Sequence, residues 1–212
     1  MIKVKKFVVN PLRENSYILY DESRQAIFID PGFYFDEELH DVAHFVNDNQ
    51  LQPVRLINTH CHFDHLMGVE YVRERFGLPF ECHRDDLFLL DRANQQAVEF
   101  GFSMLPVREP EAFLKEDDTI QFGNSNLQVL HVPGHSPGHV VFYSAADGLL
   151  IGGDVLFAGS IGRTDLPGGS YDQLVGAITQ KLLVLPDATR VFAGHGPETT
   201  IGFERANNPF LN

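Results

Sequence analysis

The segment Thr59-His60-Cys61-His62-Phe63-Asp64-His65 puts three imidazoles and a carboxylate into six residues, directly behind the apolar stretch Pro53-Val54-Arg55-Leu56-Ile57. On a strand, His60, His62 and Asp64 share one face and His65 points away. On a helix, His60 and Asp64 align while His62 lies roughly 160° round. Neither regular element aims all four donors at one point. The segment therefore reads as a turn between a buried strand and a helix starting near Leu66, with its ligands divided between two adjacent ions. A functionless surface histidine cluster is the competing reading, and its placement at a strand-to-helix junction, where α/β active sites sit, argues against it. Neutral imidazole and carboxylate suit zinc, iron(II) or manganese(II), and the chain has no thiolate pairs from which to build a four-cysteine structural site.

The surrounding pattern is α/β. Ile2–Val9, Ser16–Tyr20 and Gln25–Ile29 read as strands, the last stopping at Asp30-Pro31-Gly32. Asp36–Asn49 has helical spacing with acidic residues in its first turn, and Leu66–Phe76 is helical again, closed by Gly77 and Pro79. Leu78–Cys82 is a further short strand, and Asp85–Leu90 starts a helix packed on the core. From Asn94 to Glu116 the periodicity fades, which predicts an irregular or partly helical connection and the best candidate for a mobile flap. Four strands follow, at Thr119–Phe122, Leu127–Val132, His139–Ser144 and Leu149–Gly152, then a helix at Tyr171–Leu183 capped by Ser170 and a last strand at Arg190–Ala193. The tail Arg205–Asn212 is expected to be docked or frayed. Two β-rich halves, each ending in α/β elements, predict one domain over residues 1–212 with layers in the order helix, sheet, sheet, helix.

More potential donors stand in matching places. Pro133-Gly134-His135, Gly152-Gly153-Asp154 and Gly194-His195-Gly196 each follow an apolar strand, and the glycines let the backbone turn sharply beside an ion. Singly, His135 or His195 would more often be a satisfied histidine than a ligand; four strand ends with the same chemistry are hard to obtain by chance. Asp30 either accepts the free N–H of a metal-bound histidine or shapes the turn before Pro31. His139 stands beside a ligand or packs at the start of its strand. Cys61 should point away from both neighbouring histidines if the segment is extended.

These residues, His60-Cys61-His62-Phe63-Asp64-His65 with His135, Asp154 and His195 in order, resemble the metallo-β-lactamase superfamily along essentially the whole chain. The resemblance implies an αββα sandwich with two divalent ions, zinc first and iron or manganese as alternatives, at one edge of the sheets. It implies a first site of His60, His62 and His135, a second of Asp64, His65 and His195, and Asp154 bridging them. Asp at the bridging position, with Gly153-Asp154-Val155-Leu156-Phe157 and Gly162-Arg163-Thr164-Asp165, is similar to the glyoxalase II branch. That implies hydrolysis of S-2-hydroxyacylglutathione thioesters by a bridging hydroxide, with Asp64 accepting its proton. Glyoxalase II enzymes bind the glutathione carboxylates with basic residues of a C-terminal helical domain; here seventeen residues follow His195, and Arg163 is the basic residue expected near the metals. Persulfide dioxygenases share the loop and the Gly-Arg-Thr-Asp segment, and imply a single iron(II) on His60, His135 and Asp154; that family's third histidine motif tends to end Gly-Cys, where this chain has Gly138-His139. A metal-binding module without catalysis is a third reading.

The balance of 16 Lys and Arg against 29 Asp and Glu, a formal net charge of −13, argues against nucleic acid and anionic membrane surfaces as partners. An anionic small substrate is still compatible, because two bound dications would make the cleft the most positive place on the protein. Only two cysteines, with no CxxC pair, predict a reducing, cytoplasmic setting. No apolar run exceeds four residues, far short of the roughly 20 that span a bilayer.

Overall fold

The computed structural model describes residues 1–211. Strands β1 (Lys3–Val9), β2 (Glu14–Tyr20) and β3 (Gln25–Ile29) form an antiparallel meander, followed by α1 (Asp36–Asp48), β4 (Gln52–Ile57), α2 (Val69–Phe76), β5 (Phe80–His83), α3 (Leu87–Glu99) and β6 (Ala112–Leu114). These make a six-stranded sheet in sequence order, parallel from β3 onward. The second half contributes β7 (Thr119–Phe122), β8 (Ser125–His131), β9 (Val140–Ser144), β10 (Leu149–Gly153), the ribbon β11 (Leu156–Phe157) and β12 (Ser160–Ile161), α4 (Tyr171–Ala177), β13 (Arg190–Ala193), β14 (Thr199–Thr200) and α5 (Ile201–Asn207). Its six-stranded sheet runs β14-β13-β10-β9-β8-β7.

Three apolar clusters define the layers. Ile18, Phe28 and Leu56 on the outer face of the first sheet pack with Val42, Val72 and Ala93 of α1, α2 and α3. The alternate residues Leu19, Ile27 and Ile57 meet Leu127, Val129 and Ile151 between the sheets. Leu150 and Val191 on the far face of the second sheet pack with Leu174 and Ile201 of α4 and α5. Both faces of the central strands, such as β3 and β10, are buried, so these read as apolar runs rather than alternations. This is the helix, sheet, sheet, helix order expected from the sequence, in a single domain.

Some local expectations change. The helix expected from Leu66 begins at Val69, because Phe63–His65 forms a 3-10 turn first. The stretch expected to be irregular or partly helical is helical from Asn94 through Glu99 and irregular over 100–111, but its far end, Ala112–Leu114, is a strand that pairs with β5. Between them the chain is tied down: the Arg73 guanidinium donates to the carbonyls of Arg108 and Glu109, and Asn94 Nδ2 donates to Met104. The tail is docked as α5, whose Arg205 guanidinium donates to the carbonyls of Leu183 and Leu185; Asn212 lies outside the described residues. Among those residues no helix is long and apolar enough to cross a membrane.

The topology dictates where the donors collect. Parallel β3 and β4 end at the same edge of their sheet, and so do parallel β10 and β13. Because β8 and β10 both run antiparallel to β9, β8 ends there too. The sheets are joined at this edge by Val140 N–H to the Thr59 carbonyl at 2.8 Å and Asn15 N–H to the Gly194 carbonyl at 2.7 Å. Five chain segments that each end in a polar residue therefore converge.

Candidate metal centre

His60, His62 and His135 present ring nitrogens within 4.8 Å of one another, and Asp64, His65 and His195 form a second such group. Asp154 stands between them: its Oδ1 is 3.6 Å from His65 Nε2, and its Oδ2 is 3.6 Å from His195 Nε2 and 3.8 Å from His135 Nε2. Asp64 Oδ2 is 3.2 Å from His195 Nε2. All seven residues named from the sequence as ligands meet here. His195 is the most open of them, while the others are buried.

Neighbouring groups fix which nitrogen of each ring faces inward. His135 Nδ1–H donates to the Arg163 carbonyl at 2.8 Å, leaving its Nε2 lone pair directed at His62 Nδ1, 2.9 Å away. That separation of the two nitrogens approaches the roughly 3.3 Å set by tetrahedral Zn–N bonds of about 2.0 Å. Thr59 Oγ1 donates to Asp30 Oδ2 at 2.6 Å and lies 3.0 Å from His60 Nδ1, so the His60 proton is held there and Nε2 turns inward. The same Asp30 oxygen is 3.3 Å from His65 Nδ1. Asp30 thus orients two rings at once, and its Oδ1 also accepts the Thr59 N–H at 2.6 Å. It does so from a left-handed backbone, φ 50°, a conformation that costs a non-glycine residue about 1–2 kcal/mol.

The inward atoms fit a cation. His60 Nε2, His65 Nε2 and Asp154 Oδ1 are buried with no hydrogen-bond partner among the described residues, a costly arrangement for polar atoms unless something else binds them. Burial, with the neighbouring imidazoles, holds His60 well below the usual histidine range and pushes His62 down to about 3. These rings are neutral, the form that ligates metals. At His65 burial acts the same way, but the carboxylates of Asp64 and Asp154 outweigh it and raise the pKa. Burial alone would raise Asp154; His65 and His195 override it and keep the carboxylate ionised.

His139 is placed beside a donor. Its Nε2 accepts the Asp154 N–H at 3.0 Å, and its ring stacks on His60 with centroids 4.8 Å apart. Gly153 allows this approach: its φ is +49°, and a Cβ there would run into Thr59 Oγ1 and come within 2.7 Å of His139 Nε2. Gly153→Ala is therefore expected to cost about 2–3 kcal/mol in equilibrium denaturation, from backbone strain plus overpacking; a loss below 0.5 kcal/mol would show that the edge relaxes freely.

Three supports escape a reading by sequence. Asp86, fully buried, accepts from Cys61 N–H at 3.1 Å and Ser136 Oγ at 2.8 Å through Oδ2, and from Gly138 N–H at 2.6 Å through Oδ1. It joins the His60–His65 turn to the His135 turn, and burial pushes its carboxyl up to about 6. Asn15 Nδ2 donates to the carbonyls of Ala193 and Gly196, bracketing His195. Asn10 Nδ2 donates to the Asp64 carbonyl at 3.0 Å. Only Asn15 left a trace in the sequence, as part of the polar opening Glu14-Asn15-Ser16 of an otherwise apolar strand. Cys61 is buried in the outer-face cluster with Cys82, away from the donors. Arg163 lines the cleft, but its guanidinium forms two bonds, 2.7 and 2.8 Å, with Asp165.

Above the donors lies a cleft of about 460 Å³. Its floor is His62, Asp64, His135, Asp154 and His195, and its walls include Leu12, Phe63, Phe100, Phe157 and Ile161.

The family model of the metallo-beta-lactamase superfamily matches residues 9–195, and the chain belongs to that superfamily. It is 36% identical over 212 residues to the probable metallo-hydrolase YqgX of Bacillus subtilis, covering 100% of this chain and 98% of the relative. It is 35% identical over 206 residues to hydroxyacylglutathione hydrolase GloC of Haemophilus influenzae, covering 96% and 95%. Among solved structures, BLEG-1 B3 metallo-beta-lactamase superposes with TM-score 0.91 at 37% identity, over 99% of this chain and 100% of that one. TTHA1623 in a di-iron-bound form superposes with TM-score 0.88 at 39% identity, over 98% and 100%. The particular chain is thus a metallo-hydrolase-type member with a donor set suited to two ions.

Proposed function

We propose that this chain hydrolyses thioesters, with S-2-hydroxyacylglutathiones such as S-lactoylglutathione as substrates. The observation that carries the reading is the pair of adjacent donor groups with Asp154 between them, at the floor of a cleft with an apolar wall. The similarity to GloC supports the substrate class. In this reading His60, His62 and His135 would hold one ion and Asp64, His65 and His195 the other, with Asp154 placed between the two groups. Two divalent ions, zinc in the first instance, would supply hydroxide at neutral pH and polarise the scissile carbonyl.

The chain's own residues do the rest. Asp30, through Thr59, keeps the inward Nε2 of His60 unprotonated, and its carboxylate lies beside His65 Nδ1. The Asp64 carboxylate, kept ionised against its burial by His65 and His195, accepts the proton of the attacking water at Oδ2. The thiol leaves as a thiolate, which needs little protonation, so no separate acid is required. Phe63, Phe100 and Phe157 cover the acyl group and exclude water from the floor. The partner is a small molecule, with no nucleic acid or membrane, in a cytoplasmic setting.

The test is metal analysis of the purified protein beside turnover of S-lactoylglutathione, oxygen uptake with glutathione persulfide, and nitrocefin hydrolysis. Two metals per chain with thioester turnover is the expected result. One iron with oxygen uptake and no thioester turnover would replace this reading with a persulfide dioxygenase; nitrocefin turnover alone would replace it with a β-lactamase. Bound metal with none of the three would leave a metal-binding module. Chelation is expected to lower the melting temperature by about 10 °C relative to protein in an excess of zinc about 1,000 times its Kd, since such binding is worth about 4 kcal/mol. An unchanged melting temperature would show that the donors hold no ion.

A further inference from the structure

A second groove adjoins the cleft. β1 is the edge strand of its sheet, and its alternation puts Ile2 and Val4 into the core between the sheets. The same alternation places Lys6 and Val8 farther along that face, where neither is buried. There a cavity of about 510 Å³ is lined by Lys6, Val8, Leu12, Arg13, Asn15 and His195, together with the two residues after His195. Leu12 and His195 also line the main cleft, so the two spaces share a wall. No carboxylate lines this groove.

Its cations are uncommitted. Several other arginines meet a carboxylate, as in Arg55 with Glu81, Arg108 with Glu70 and Arg163 with Asp165. Among the described residues Lys6 and Arg13 have no salt bridge or side-chain hydrogen bond. Two unpaired cations in one groove stand out in a chain of net charge −13, and on such a protein they concentrate the local positive potential. Arg13 is also held in place. Its φ is +59°, a left-handed conformation that a non-glycine residue adopts at a cost, and such strain persists only where the surroundings enforce it. Asn10 enforces it: its carbonyl accepts the Arg13 N–H at 3.1 Å, its Oδ1 accepts the Leu12 N–H at 2.9 Å, and its Nδ2 reaches the Asp64 and Gly32 carbonyls, both at 3.0 Å. The turn that carries Arg13 is thereby fixed to the turn that carries Asp64.

We propose that this groove is a carboxylate-binding subsite, in which Lys6 and Arg13 take the carboxylates of the substrate's thiol carrier while the acyl group lies in the main cleft. The proposal rests on the thioesterase reading for the identity of the carrier. Arg163, the basic residue expected from the sequence to do this, has its charge met by Asp165. A tripeptide carrier extends roughly 10 Å at about 3.3–3.6 Å per residue, enough to run from a scissile bond on the floor past the shared wall of Leu12 and His195.

Two measurements on zinc-loaded protein test it. In steady-state kinetics, the Lys6→Gln/Arg13→Gly double variant is expected to lower kcat/KM for S-lactoylglutathione about tenfold relative to the uncharged lactoyl thioester of N-acetylcysteamine, through KM. Arg13→Gly alone relieves the backbone strain while removing the charge, so a loss in that variant is not a folding defect. In titration calorimetry, S-hexylglutathione is expected to bind the double variant about tenfold more weakly than wild type. An unchanged substrate ratio, a collapse of that ratio with Arg163→Gln alone, or S-hexylglutathione affinity that is absent or unaltered would each overturn the subsite. If wild type turns over neither thioester yet binds S-hexylglutathione through Lys6 and Arg13, the thioesterase reading falls and the subsite stands.

Discussion

Asp154→Ala is expected to cut kcat/KM for thioester hydrolysis by about 10³-fold or more and to reduce bound metal from two ions per chain to one or none. The size follows from position. Asp154 is within 3.8 Å of inward nitrogens from both donor groups, His135 on one side and His65 and His195 on the other. Removing a carboxylate that would serve both ions forfeits several kcal/mol of charge stabilisation, and about 4 kcal/mol is already 10³ in rate. The backbone there is held independently of the side chain, by the Asp154 N–H on His139 Nε2 and by Gly194 N–H on the Gly153 carbonyl. The variant should therefore fold, and its circular dichroism should match wild type. Asp154→Asn keeps the shape and one oxygen, so it should fall between the two. The check is metal content by emission spectroscopy together with turnover on the same samples. Two tightly bound ions and activity within tenfold of wild type in Asp154→Ala would remove Asp154 from the centre.

What a reader of the sequence could extract was set by how locally each feature is encoded. The donors were legible because an apolar strand ending in a polar residue is a local pattern that recurs at His60, His135, Asp154 and His195, the last three with glycine alongside. The layer order was legible from the succession of apolar periods. The split of the donors into two groups needed the turn at Phe63–His65, whose 3-10 geometry swings Asp64 and His65 away from the face carrying His60 and His62. The supporting residues were invisible for the opposite reason. Asp86 looks like any acidic residue at a helix start, and its partners lie 25, 50 and 52 residues away. Lys6 and Arg13 are two ordinary surface cations until β1 and the turn after it are laid beside His195. The anchoring of the irregular connection over 100–111 was not legible because Arg73 and Glu70 belong to α2 and act across more than thirty positions.

Asp86→Ala is expected to have the largest effect on stability of any single change outside the donor set. Its carboxylate satisfies three donors that are buried with it: the amides of Cys61 and Gly138 and the hydroxyl of Ser136. Alanine removes both acceptor oxygens, strands all three donors and leaves a space that backbone cannot fill. At about 1–3 kcal/mol for each stranded donor, with some relaxation, the loss should be about 3–5 kcal/mol, or roughly 10–15 °C in melting temperature for a chain of this size. A second consequence separates this from a generic core defect. Asp86 joins the turn carrying His60 and His62 to the turn carrying His135, and those three rings make up one donor group. Loosening their mutual placement should weaken metal binding about 10–100-fold, the usual penalty for losing a group that orients ligands. Asp86→Asn keeps a single acceptor oxygen and should recover part of both losses. Calorimetric melting of chelated protein reads the first effect free of the second, and a zinc titration against a competing chelator reads the second. A melting temperature within 3 °C of wild type and an unshifted zinc affinity would mean that the two turns are held apart from Asp86, and that the sheets alone bring the three histidines together.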